Sequence, residues 1–150
     1  MAAYQFVPLP NDGDSIRLLH VQPSSSWAGP MICTLEISKL SDSPSYVALS
    51  YTWGSAVHDH VVKVDGLNFP VTESLYSALQ LFRHASQTRS TAEGGGSVLW
   101  ADQISINQAD DTERSLQVAM MKRVYETAQS VDVSLGYGPA EKVRLVHELL

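Results

Sequence analysis

Cysteine is almost missing from this chain. Cys33 is the single thiol in 150 residues, which excludes an internal disulfide and points to a reducing, intracellular setting. It lies within Met31-Ile-Cys-Thr-Leu35, a strand-like run where it reads as a small buried hydrophobe rather than a nucleophile. Long apolar runs are missing too: nothing approaches the ~20 residues that a helical membrane span requires. Positive charge is sparse. Ten Lys and Arg stand against sixteen Asp and Glu, a formal net charge of -6, and the basic residues are scattered. A nucleic-acid or anionic-membrane surface needs a concentrated basic patch, so neither partner is expected. The opening Met1-Ala-Ala-Tyr-Gln-Phe-Val-Pro8 has neither the basic start nor the apolar core of a secretory signal, and the cytoplasm is the expected location.

Several catalytic signatures are also absent. Gly94-Gly-Gly96 lacks the Lys and Ser/Thr of a phosphate loop and precedes a strand rather than a helix, so it reads as linker. Ser50 has no glycine elbow and no evident His partner, which argues against a serine hydrolase. His58 and His60 share a side of an extended segment, but no third ligand lies nearby, and no metal site is expected.

What is present describes one globular domain. A 44% hydrophobic content and mean hydropathy of -0.07 are those of an ordinary folded chain, and the length suits a single core. Ser15 to Val21 and Met31 to Ile37 are β-like runs separated by turn residues, an N-terminal hairpin with a long loop. Tyr46 to Trp53 lacks alternation, as expected of a strand covered on both faces. Val61 to Val64 and Asn68 to Val71 flank Asp65-Gly66, a hairpin signal. Thr72 offers a cap to a helix carrying Leu75, Ala78, Leu79 and Phe82 through about Ala85. A surface loop over 86–97, a strand at 98–101, a helix from about Thr112 to Ala128 and a strand from Val131 to Leu135 follow. Glu141 to Leu150 reads as a helix still under way, so residues 1–150 are expected to be one domain of a longer protein. The alternation of strand and helix predicts an α/β fold with a central, mostly parallel sheet flanked by helices.

Residues 98–117 hold the densest chemistry. A short apolar run breaks into Asp102, Asn107, Gln108, Asp110, Asp111, Glu113 and Arg114 before a helix resumes. Sites of open α/β sheets sit beyond the carboxyl ends of strands. On a wheel of about 100° per residue, Glu113 and Gln117 continue the apolar stripe of Met120, Met121, Val124, Tyr125 and Ala128. A carboxylate aimed along a core face either does chemistry, caps its own helix or pairs with an Arg. If the strands at 46–53 and 98–101 are neighbours, Ser50, Tyr51, Trp53, Gly54 and Asp102 share a rim with Asn107 and Glu113. Trp100 reads as a core aromatic, and Asp102 as a ligand group or a turn former.

Three blocks in register then become recognisable: Tyr46-Val-Ala-Leu-Ser-Tyr-Thr-Trp-Gly54, Leu99-Trp-Ala-Asp-Gln-Ile-Ser-Ile-Asn-Gln108, and Glu113-Arg114 with Gln117, Met121, Tyr125 and Ala128. Together they resemble the fungal heterokaryon incompatibility (HET) domain, with a core match over about 15–136. Two departures stand out: Ser105 where the family usually carries cysteine, and Ser134 where it usually carries the tryptophan of Trp-Leu-Gly. The resemblance implies a cytosolic fungal domain that triggers cell death on non-self recognition, through self-association or contact with a protein partner. It also implies a distant likeness to TIR domains and their flavodoxin-like sheet, some of which hydrolyse NAD through a glutamate near a helix start. By that analogy of fold, NAD is a candidate nucleotide ligand and substrate, and Glu113 the catalytic candidate. Ser50, Tyr51, Trp53, Gly54, Asp102, Asn107, Gln108, Arg114 and Gln117 are the ligand or interface candidates.

Overall fold

The computed structural model describes residues 3–88 and 97–134, together with the backbone of 142–145. The N-terminal hairpin forms as expected: β1 (Ser15–Val21) and β2 (Ile32–Lys39) pair antiparallel from Ser15↔Lys39 to Val21↔Cys33. A 3-10 turn at Leu40–Asp42 leads to β3 (Val47–Tyr51). The second hairpin, β4 (His60–Val64) and β5 (Leu67–Val71), closes on Asp65 and Gly66, both at positive φ. Those are the dihedrals that a two-residue turn of matching twist demands.

Helix α1 (Glu73–Thr88) starts where Thr72 Oγ1 accepts a hydrogen bond from the Leu75 amide at 3.3 Å. It runs three residues past the expected end at Ala85. The chain continues through β6 (Val98–Trp100), the single turn α2 (Asp102–Ser105), α3 (Asp111–Thr127) and β7 (Ser130–Ser134). The Gly94 to Gly96 linker and the turn after Ser134 lie outside the described residues.

The eight-stranded sheet has the order β5-β4-β2-β1-β6-β3-β7-β8, where β8 is Lys142–Leu145. It is mixed, which corrects the expectation of a mostly parallel sheet. Among the described strands, parallel pairing joins β2 with β4, β6 with β3, and β3 with β7, beside an isolated parallel bridge between Ala3 and Asn68. The reason is that both hairpins insert their strands into the same sheet, and β1 joins β6 antiparallel. Only the crossovers through α1 and α3 give the β6, β3, β7 parallel unit. The expected helix after Glu141 is also corrected, because Lys142–Leu145 pairs antiparallel with β7. Lys142-Val-Arg-Leu145 alternates with period two, and an open sheet edge gives that pattern a partner.

Alternate residues of each central strand enter different cores. Val47, Leu49 and Leu99 pack with Leu75, Leu79 and Phe82 of α1. Ala48, Trp100 and Val131 pack with Met120 and Val124 of α3 and with Ala128 just beyond its end. The helices therefore cover opposite faces, and the loops after β3 and β6 open at one edge between them.

Candidate functional site

Glu113 occupies the first turn of α3, where Asp110 caps the helix by accepting from the Glu113 amide at 3.1 Å. Its carboxylate is fully engaged. Arg17 donates to both oxygens, Nη1 at 2.7 Å and Nη2 at 2.8 Å, and the Asn107 amide donates to Oε2 at 2.6 Å. The Arg17 side chain is 1% exposed and that of Glu113 10%. Arg17 also donates to the carbonyls of Ser105 and Val7, and Phe6 stacks on its guanidinium at 4.6 Å. One ion pair thus ties β1, α2, the 105–110 loop, α3 and the N-terminal arm together. The groove beside Glu113 is lined by Leu9, Pro10, Asn11 and Leu116, among others, and by no residue of 50–54. Of the roles open to a carboxylate on the core face, the geometry gives pairing with an Arg.

A second cluster forms at the carboxyl ends of β3 and β6, which are parallel neighbours, the condition on which the shared rim depended. Asp102 Oδ1 accepts from the Tyr51 hydroxyl at 3.0 Å and from Trp53 Nε1 at 3.3 Å. Gln103 Nε2 lies 3.4 Å from the Tyr51 hydroxyl, and Gln108 Nε2 donates to the Asp102 carbonyl at 2.9 Å. Burial lifts the Asp102 carboxyl above its ordinary value, against the Tyr51 and Trp53 bonds that lower it. Burial, reinforced by the Asp102 charge, likewise pushes the Tyr51 hydroxyl up, so Tyr51 stays a donor. Gly54 takes a φ of 63°, a backbone that side-chain-bearing residues rarely adopt. Trp53 keeps 37% of its surface exposed.

The other candidates separate. Ser50 lines an apolar cavity of ≈ 180 Å³ between α1, β3 and β7, with Leu49, Phe82, His84 and Val133 among its walls. Gln117 is buried and donates to the Ser15 carbonyl at 3.0 Å. Arg114 pairs with Asp111 on its own helix, in solvent. Asn107 serves Glu113 through its backbone amide, while its side chain accepts from the Ala109 amide. Trp100 is fully buried. His58 Nδ1 lies 2.8 Å from the Ala56 carbonyl and His60 Nδ1 2.9 Å from Asp59. Among the described residues, no group of three or more His, Cys, Asp or Glu is placed to hold a metal.

Sequence reasoning passed over Arg17 and Gln103. The signal for Arg17 was there: an arginine inside the apolar run Ser15-Ile-Arg-Leu-Leu19 needs a buried partner, because such a residue is almost never buried unpaired. Gln103 had no such signal.

The model of the family described as "Heterokaryon incompatibility protein (HET)" matches residues 46–149, which includes the Asp102 cluster and Glu113 but not its partner Arg17. The chain belongs to the HET family. It is also similar to "Heterokaryon incompatibility protein 6, OR allele" of Neurospora crassa, at 34% identity over 98% of this chain. The chain spans 22% of the length of that protein. No solved structure matches it. Within this HET domain, Ser105 is held by a specific bond. Ser105 is 0% exposed, and its hydroxyl accepts from the Ala101 amide at 3.1 Å.

Proposed function

We propose that this HET domain acts in heterokaryon incompatibility as part of a longer protein, and that its rim of Tyr51, Trp53 and Asp102 is a contact surface for a protein partner in the cell-death response. One observation carries the reading: Trp53 is half held and half offered. Its Nε1 is tied to Asp102 while 37% of its surface faces solvent. A pre-positioned aromatic is the residue type that dominates binding energy at interfaces. The incompatibility role draws support from the name of the Neurospora relative, and the cytoplasm is the location proposed for it.

The test is expression of the chain in fungal cells, scored for growth arrest. Trp53→Ala and Asp102→Ala should abolish arrest while the purified variants melt within a few degrees of the parent. Arrest that persists in both would overturn the rim.

A second reading, NAD hydrolysis in the manner of TIR domains, has one observation in its favour: an aromatic rim beside a carboxyl of raised pKa at the strand ends. Because both Glu113 oxygens are taken, the acid in this reading is Asp102, with Trp53 stacking on a ring. Nicotinamide release that is lost in Asp102→Asn supports it. No release at any protein concentration removes it.

A further inference from the structure

Asp102 is a carboxylate drawn partly out of water without a cation to match it. The Tyr51 and Trp53 donors both go to Oδ1, so no side chain among the described residues donates to Oδ2. That second oxygen is not sealed within the core and reaches solvent. None of the ion pairs among the described residues involves Asp102. Burial lifts its carboxyl, and no neighbouring cation offsets the rise. The flanking segments supply none either: 51–59 and 101–113 carry Asp59, Asp102, Asp110, Asp111 and Glu113 but neither Lys nor Arg. A carboxylate removed from water is ordinarily paired.

Trp53 holds an aromatic face beside this carboxylate. Its ring edge is tied to Oδ1 at 3.3 Å while 37% of the residue stays exposed. Because the indole is already positioned, little side-chain freedom is lost when something stacks on it.

We propose that the rim is a guanidinium site, in which an arginine of the protein partner stacks on Trp53 and donates an N–H to Asp102 Oδ2. The inference rests on the reading of the rim as a contact surface and names what the partner brings to it. A guanidinium answers both open groups at once. It is planar and weakly hydrated, so it stacks on an indole, and its N–H groups lie in the ring-parallel plane from which a neighbouring oxygen is reached. An ammonium meets the carboxylate but holds its water more tightly and cannot stack. An anion is opposed by the acidic residues of both segments.

An exposed cation–π contact and a half-exposed ion pair are each weak, so an isolated arginine should bind with a dissociation constant on the order of tens of millimolar. In a full interface such an anchor gains weight because its surroundings exclude water.

Titration of the purified chain at constant ionic strength, followed through its indole N–H resonances, tests the proposal. The probes are N-acetyl-arginine methylamide and its lysine and citrulline counterparts; citrulline keeps the flat shape of arginine without the charge. Trp53→Phe identifies the Trp53 resonance. Arginine should shift that resonance saturably, lysine should bind roughly threefold more weakly, and citrulline should leave it in place. Asp102→Asn keeps the oxygen that anchors Tyr51 and Trp53, and should weaken arginine binding by roughly threefold to fivefold. Thermal melts of each variant check that the fold is intact. An equal response to arginine and citrulline overturns the proposal, as does arginine binding that is unchanged in Asp102→Asn. Lysine binding as tightly as arginine removes the guanidinium. A tighter response to N-methylpyridinium, a flat cation without N–H donors, removes it too and favours the nucleotide reading of the rim. Growth arrest that Trp53→Ala abolishes, in a chain that ignores arginine, removes the arginine and keeps the rim. Arrest that persists in Trp53→Ala, from a chain that binds arginine, removes the rim as a contact surface instead.

Discussion

At the scale of residues, the Arg17 and Glu113 pair shows how a charge can be conspicuous in sequence for structural reasons. Glu113 sits on the core face because Arg17, 1% exposed, needs a carboxylate there. Removing one partner of a buried pair strands the other, at a typical cost of about 3–5 kcal/mol. Glu113→Gln is therefore expected to lose about that much in urea unfolding, whereas Arg17→Met with Glu113→Leu should recover most of it. A Glu113→Gln chain of parental stability would show that the pair is not what holds this junction. Asp102 behaves in the opposite sense. Its carboxyl is held above the ordinary value of 3.8 by burial, so ionisation costs more in the folded chain than in the unfolded one. That cost is present at neutral pH and is relieved as the pH falls through the native pKa toward and below 3.8. Asp102→Asn keeps the oxygen that Tyr51 and Trp53 use. Its melting temperature is expected at or above the parent's at neutral pH, with the two curves converging in acid. A deficit at neutral pH that vanishes in acid would reverse the sign.

At the scale of elements, the short helix α2 acts as a clamp. Gln103 accepts from the Thr72 amide at 2.9 Å and donates to Thr72 Oγ1 at 3.1 Å, thereby fixing the start of α1. Thr72 is 0% exposed, so no bulk water replaces the acceptor. Gln103→Ala should cost about 1–3 kcal/mol, with faster amide exchange at Thr72 and in the first turn of α1. Unchanged exchange there would remove the clamp. Arg83 does similar work at the other end of α1, donating to the carbonyls of Ser26, Trp27, Gly29 and Pro30 in the loop between β1 and β2. The helices themselves were legible from apolar spacing and caps. Their clamps were not, because a bond between Thr72 and Gln103 joins positions with no shared local pattern.

At the scale of the whole molecule, the hairpin strands and the crossover strands lie in one sheet with a helix on each face. Cys33 reports on its integrity. It is 1% exposed on β2, and burial pushes its thiol up to about 12. Thiol reagents at neutral pH are expected to label it only as the sheet opens, at a rate that rises with urea. Rapid labelling of the native chain would contradict that burial. Local sequence was enough for strands β1 to β7, the Asp65-Gly66 turn, the starts of α1 and α3, and the blocks that carry the family resemblance. These follow from periodicity, turn chemistry and capping, which act between near neighbours. Only the tertiary structure decided that the sheet is mixed, that Lys142–Leu145 is a strand, and that Glu113 faces Arg17 while Asp102 faces Tyr51 and Trp53. Strand partners and ion-pair partners are chosen by which distant groups can bury and satisfy one another. That choice is made in three dimensions and leaves no spacing in the chain to read.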